Sequence, residues 1–306
     1  MEITKLRKLG AVFFGITINP DGLIVEDLVI YAIGWPYYGG NSDTDEDEDE
    51  DVDEDYHIHS GASFLDLADS SAKWKSIDGM LNSDRSFPSC ASLSNKIFVF
   101  GASDGTAPFA FGEFYDKKTN NWEPIPFPPG FDHHKQPSVM HPVISDPKHN
   151  LVLVYISLIN SLYAYYPDNN HNRWVCLDDH LLSWRGEAAP SPVDDVLYFI
   201  QFYEYFNTNC ITAYDILNNK TLQVTWSACS PFGPNELRRL TFQQMIYLGD
   251  NIMCLTADLT LDGSSFFKFY RFRACRVSQE QVSLTPLSVH LIPVEGLNST
   301  VNIVPL

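Results

Sequence analysis

Nowhere in this sequence do two cysteines stand close together. The six lie at positions 90, 176, 210, 229, 254 and 275, with no C-x-x-C pair among them. That spacing excludes the usual zinc and redox motifs and reads as reduced thiols, so a cytosolic or nuclear location is expected. No charged-then-apolar segment of the signal-peptide kind opens the chain. No apolar run approaches the ~20 residues that a membrane helix needs, so no membrane span is expected. The sequons at Asn219 and Asn298 would matter only in a secreted chain. P-loop, G-x-S-x-G and H-E-x-x-H motifs are all missing. Basic residues are scarce too. Twenty Lys and Arg face 39 Asp and Glu, for a net charge of −19, and that field disfavours nucleic acid as a partner.

What the chain does have is apolar and aromatic material. Its 306 residues are 44% hydrophobic and 13% aromatic, enough to bury a large core, and the length allows one large all-β domain or two ordinary ones, a single domain spanning 1–306 being expected. The negative charge is concentrated. Between Asp43 and Asp55, "DTDEDEDEDVDED", eleven of thirteen side chains are acidic. A like-charged run with almost nothing apolar cannot offset the entropy of ordering it, so residues 43–55 are expected to be a disordered, solvated insert.

A spacing recurs along the chain. "EFYDKKTNNWEPIPFPP" carries Asp116 and Trp122. The same pattern gives Asp66 and Trp74, Asp168 and Trp174, and Asp215 and Trp226. The tryptophans fall 48, 52 and 52 residues apart, a period that marks a repeat array whose units stack on their neighbours. Within a unit the runs are short and strand-like. "CASLSNKIFVFG" reads as two strands meeting at Asn95-Lys96, "FAFGEFY" as a third and "WEPI" as a fourth. Each unit is therefore expected to be a four-stranded antiparallel meander. The aspartates would open the third-to-fourth turn by accepting backbone N–H groups. The tryptophans would fill the gap between adjacent sheets as structural wedges.

The stretch "RSFPSCASLSNKIFVFGAS…FGEFYDKKTNNWEPIP" resembles the kelch-repeat β-propeller family, most closely the plant kelch proteins that often carry an F-box. The resemblance is closest over residues 80–130 and extends over 56–79 and 131–229. It implies a propeller, and with five units over residues 8–285 six blades are favoured, five being the alternative. "SVHLIPV" and "VNIVPL" together with a strand in "GAVFFGITI" would form the sixth blade and close the ring. No F-box is apparent ahead of the first unit, so any link to a ubiquitin ligase would run through a separate subunit.

Two kinds of site suggest themselves. His57 with His59, and His133 with His134, could begin a metal site, but neither pair has a third ligand at a usual spacing, and no metal or cofactor is expected. Kelch enzymes of the copper-oxidase type and the iron-assisted specifier proteins are the relevant comparisons for an enzymatic alternative. Asp49, Asp53 and His57 meet the acid-x3-Asp-x3-His spacing of the specifier proteins, inside a tract where such spacings arise readily. The second candidate is a basic position that recurs once per unit: Arg85, His133 and Arg185 lie eleven residues after Trp74, Trp122 and Trp174, and Arg238 twelve after Trp226, with Arg239 beside it. Arginine recognises carboxylate and phosphate through a planar fork of donors. The expected function is a non-catalytic module whose channel mouth binds an acidic or phosphorylated segment of a protein partner.

Overall fold

A computed structural model of the chain describes residues 11–13, 23–26, 29–35, 61–66, 74–77, 79–81, 88–101, 110–131, 139–156, 159–168, 173–179, 184–191, 195–203, 208–227, 243–261, 264–294 and 303–305. They form strands joined by turns. After β1 (Ala11–Phe13) comes a first unit of β2 (Leu23–Glu26), β3 (Val29–Trp35), β4 (Gly61–Asp66) and β5 (Trp74–Ile77). The second holds β6 (Ser89–Leu93), β7 (Lys96–Phe100), β8 (Gly112–Asp116) and β9 (Asn121–Ile125). The third holds β10 (Val139–Asp146), β11 (Leu151–Ile156), β12 (Ser161–Tyr166) and β13 (Arg173–Asp178). The fourth holds β14 (Trp184–Ser191), β15 (Val196–Tyr203), β16 (Thr208–Asp215) and β17 (Lys220–Trp226). The fifth holds β18 (Gln243–Tyr247), β19 (Ile252–Leu261), β20 (Ser264–Arg276) and β21 (Gln281–Val294), and β22 (Ile303–Pro305) follows.

Each unit is an antiparallel meander in sequence order. The second unit carries the strands expected from "CASLSNKIFVFG", "FAFGEFY" and "WEPI". Its first hairpin closes through the two residues Ser94 and Asn95, with Leu93 opposite Lys96. Left-handed backbone at the turns falls on residues whose short polar side chains tolerate it: Asn120, Asn150, Asn160, Asp195, Asn219, Asp250 and Asn251 all have positive φ. In the second and fourth units a backbone bond ties the two turns of one end together, the N–H of Lys117 to the Asn95 carbonyl and that of Ile216 to the Asp195 carbonyl, and in the fifth the N–H of Ala274 in β20 bonds the Asn251 carbonyl of the first turn.

The sheets stack face to face. The first strands of successive units lie beside one another, β2 by β6, β6 by β10, β10 by β14 and β14 by β18, and β22 lies against both β18 and β2. The result is a ring of antiparallel four-stranded sheets, a propeller-like arrangement. Each gap is filled by one apolar cluster: Ile33, Ala62, Ile97 and Val99 between units one and two; Phe98, Phe100, Val152 and Val154 between two and three; Leu153, Tyr155, Leu197 and Phe199 between three and four; Tyr198, Leu222, Leu255 and Phe272 between four and five. Strands covered on both faces explain why β11 is buried at all six positions.

Three expectations need correction. "SVHLIPV" belongs to the closing pair only in the sequence reading; in the fold it continues β21 of the fifth unit, and the terminal pair is β1 with β22 alone. Units four and five are also not separate sheets. Gln223–Trp226 of β17 pair in parallel with Gln281–Leu284 of β21, joining the two units into eight strands. Finally, strand register revises the repeat. Trp74, Trp122 and Trp174 stand opposite Leu65, Tyr115 and Tyr165, but the matching partner of Tyr214 is Thr221 rather than Trp226. Trp226 lies five residues further on, and an odd offset along a strand turns a side chain to the other face. Trp122 and Trp174 accordingly pack toward the preceding unit, whereas Trp226, half-buried, packs on Phe272 of the following one.

Candidate functional site at the two ends of the ring

In an up-and-down unit the first-to-second and third-to-fourth turns leave from one end. The second-to-third connection and the link to the next unit leave from the other. The turn end is laced between units by polar side chains. The Asp116 carboxylate accepts the backbone N–H of Lys118 and Thr119 at 2.8 and 3.3 Å. Asp215 accepts those of Leu217 and Asn218 at 3.1 and 3.0 Å. Both therefore shape their turns as aspartate does when it mimics a backbone acceptor. In the third unit the matching register position is Tyr166, opposite Arg173. Asp168, two residues later, instead receives the Asn150 amide at 2.6 Å and lies 3.9 Å from Lys96 of the second unit.

Asp195 of the fourth unit takes Lys148 at 2.5 Å and His149 Nε2 at 3.2 Å from the third. The other His149 nitrogen meets Asp146 at 2.7 Å. Between units four and five, Arg276 contacts Asp215 and Lys220 contacts Glu280, each at 2.5 Å. Asp215 is fully buried. Burial pushes its carboxyl up, but hydrogen bonds from Asn218 and Arg276 outweigh that and hold it below the ordinary range. These contacts engage the turn end in holding neighbouring units together. Nothing in the repeat spacing pointed to Lys148, His149 or Arg276, because their partners come from another unit. The polar run "DPKHN" at 146–150 was the only local sign.

Trp122 and Trp174 are buried deeper in the gaps. Trp174 donates its indole N–H to the Pro126 carbonyl at 2.7 Å and meets Phe100, Phe111 and Tyr165 edge-on or tilted. Burial, with Glu123 nearby, pushes the Tyr165 hydroxyl up to about 12. Trp74 begins β5, and Asp66 ends β4.

The opposite end carries the connections that leave the second and fourth strands. The acidic tract 43–55 lies in the connection between β3 and β4, outside the described residues. Of the recurring basic positions, Arg185 is the second residue of β14. Arg85, His133, Arg238 and Arg239 lie outside the described residues, in the links from β5 to β6, β9 to β10 and β17 to β18. His57, His59, His134, Asp49 and Asp53 lie outside them too. Among the described residues no group of three or more His, Cys, Asp or Glu is arranged to hold a metal ion. No helix among them is long and apolar enough to cross a membrane.

No family model matches the chain, and no curated protein does. Among solved structures it is similar to YjhT, at 9% identity and a TM-score of 0.46 over 96% of this chain and 99% of that one. It is also similar to a chain of a nidogen/laminin complex, at 10% identity and a TM-score of 0.42 over 74% and 95%. A third similarity is to Hsv2 of Kluyveromyces lactis, at 9% identity and a TM-score of 0.42 over 88% and 72%.

Proposed function

We propose that this protein is a kelch-type propeller of six blades, the sixth built from both ends of the chain, that works as a non-catalytic interaction module. Its binding surface is the end opposite the ion-paired turns, and its partner is an acidic or phosphorylated segment of another protein. A role as the recognition part of a scaffold, or of a ligase completed by another subunit, in the cytoplasm or nucleus fits this reading.

The observation that carries it is the recurrence of Arg85, His133, Arg185 and Arg238 once per unit, each in or at the end of the link from one unit to the next. Equivalent links in a ring leave from one end, so four cationic or protonatable groups share it. Several such groups around one mouth focus positive potential there even in an acidic chain. The turn end supports the assignment by contrast, since Lys96, Lys148, Lys220 and Arg276 there pair with carboxylates of neighbouring units.

The test is a titration of a fluorescent phosphoserine-containing acidic peptide, beside a version with the acids replaced by amides, against the protein and the variant Arg85→Ala/Arg185→Ala/Arg238→Ala. Exposed charge pairs are each worth about 0–1 kcal/mol. The triple variant is therefore expected to bind about tenfold more weakly, and parent binding should weaken steeply with salt. Equal affinity of parent and triple variant, or equal affinity for the two peptides, would overturn the reading.

A further inference from the structure

The strand β21, 14 residues long, outruns its neighbour. From Val282 to Leu284 it is paired on both sides, with β17 and with β20. β17 ends at Trp226, whereas pairing with β20 continues to Val294. Among the described residues, the outer row of N–H and C=O groups from 285 onward faces no other strand. An unpaired edge of this length is a template for strand addition.

Its side chains suit such addition. Leu287, Val289, Leu291 and Ile292 are 42% to 45% exposed, an apolar group on one strand. Val289 and Leu291 stand opposite Tyr270 and Lys268. They thus share the face on which Tyr270 and Phe272 are buried against unit four, and extend it beyond the last residue of β17. From Gln281 to Val294 there is no Asp, Glu, Lys or Arg, in a chain of net charge −19. Two such chains repel one another, and a strand free of charge lets them approach at the least electrostatic cost. Pro286 and Pro293 have no N–H to offer an added strand. Pairing is thereby confined to 287–292.

A two-fold axis perpendicular to the sheet sets this edge antiparallel to itself, and residues directly opposite then share a face. Centred on His290, the pairing places Val289 against the copy's Leu291 on both sides of the axis. Centred on Val289, it places Val289 against itself. Either register buries apolar side chains that are otherwise exposed. We propose that residues 287–292 of β21 are a self-association edge, joining two copies through antiparallel strand pairing around Val289 and Leu291. The proposal does not rest on the acidic-partner reading.

Sedimentation velocity over a range of protein concentration, at low and at high salt, tests it. A reversible dimer is expected, and because salt screens the repulsion between the two chains, association should strengthen as salt rises. Peptide binding at the ring mouth should respond in the opposite sense. Val289→Glu sets charge into the shared edge and is expected to weaken association by about tenfold or more. Val277→Glu, at an exposed site in the turn at the far end of the same hairpin, should leave it unchanged. Near-ultraviolet circular dichroism checks that both variants fold. A monomer at every concentration in high salt overturns the proposal, as does a dimer that Val289→Glu leaves intact or that Val277→Glu weakens equally. In a monomer, slow hydrogen exchange at residues 287–292 would assign the edge to another part of the same chain.

Discussion

Asp215 shows how one buried carboxylate joins two units. It is inaccessible to solvent, closes its own turn through Leu217 and Asn218, and receives Arg276 from the next unit. Its folded-state pKa lies below the ordinary value, so the native state binds fewer protons there than the unfolded chain. The stabilisation is complete above the unfolded value of ~3.9 and is lost as pH falls through the lower folded value. Arg276→Gln removes the charge while Asp215 stays buried. We expect a loss of about 1.5–3 kcal/mol at neutral pH, the range for hydrogen bonds to charged groups, read from urea unfolding. The gap between variant and parent should begin to narrow below about pH 4, as the unfolded chain takes up the proton, and close only below the lower folded value, where the folded carboxylate is protonated too. A gap that stays constant into acid would place the effect of Arg276 elsewhere.

For the elements, close approach matters as much as pattern. Gly112 opens β8 opposite Phe100. A Cβ added there would meet the Phe100 ring at 2.6 Å and the Val99 carbonyl oxygen at 2.8 Å. Phe100 is fully buried against Phe111 and Trp174, so its ring has little room to yield. Gly112→Val is expected to cost about 1–3 kcal/mol or more by overpacking the joint between units two and three, measured as a lower urea midpoint with unchanged slope. Wild-type stability in this variant would show that β7 and β8 can separate freely. The parallel join of β17 with β21 has a simple origin. Equivalent strands of stacked units run the same way, so two outer strands that meet at an edge must meet in parallel.

For the whole molecule, the two ends of the chain meet beside the first and fifth units. Ile303–Pro305 of β22 pair with Ala11–Phe13 and lie against β2 and β18, the first strands of units one and five. Truncation before residue 300 would leave those strands without a neighbour on that side. At about 2–4 °C per kcal/mol for a chain of this size, a loss of a few kcal/mol should lower Tm by about 5–10 °C in scanning calorimetry. An unchanged Tm would mean that the ring does not need the terminal pair.

Short-range physics was legible in the sequence. Period-2 runs bounded by Asn, Asp, Ser and Gly dictate strands and tight turns, because side-chain alternation and left-handed backbone are local properties. The second unit follows from "CASLSNKIFVFG" and "WEPI" almost residue by residue. Spacing from Trp74 to Trp174 reported real equivalence, since those residues hold one register position in three successive sheets. Tertiary structure decided the rest. Trp226 keeps the 52-residue interval yet faces the other gap, because spacing counts residues whereas the face depends on register, and one odd step reverses it. "SVHLIPV" has the composition of a ring-closing strand, and only the length of β20 beside it assigns it to the fifth unit. The bonds from Lys148, His149 and Arg276 to their carboxylates span 47, 46 and 61 residues in sequence. Such pairs exist only once stacking has brought separate turns to one end of the ring.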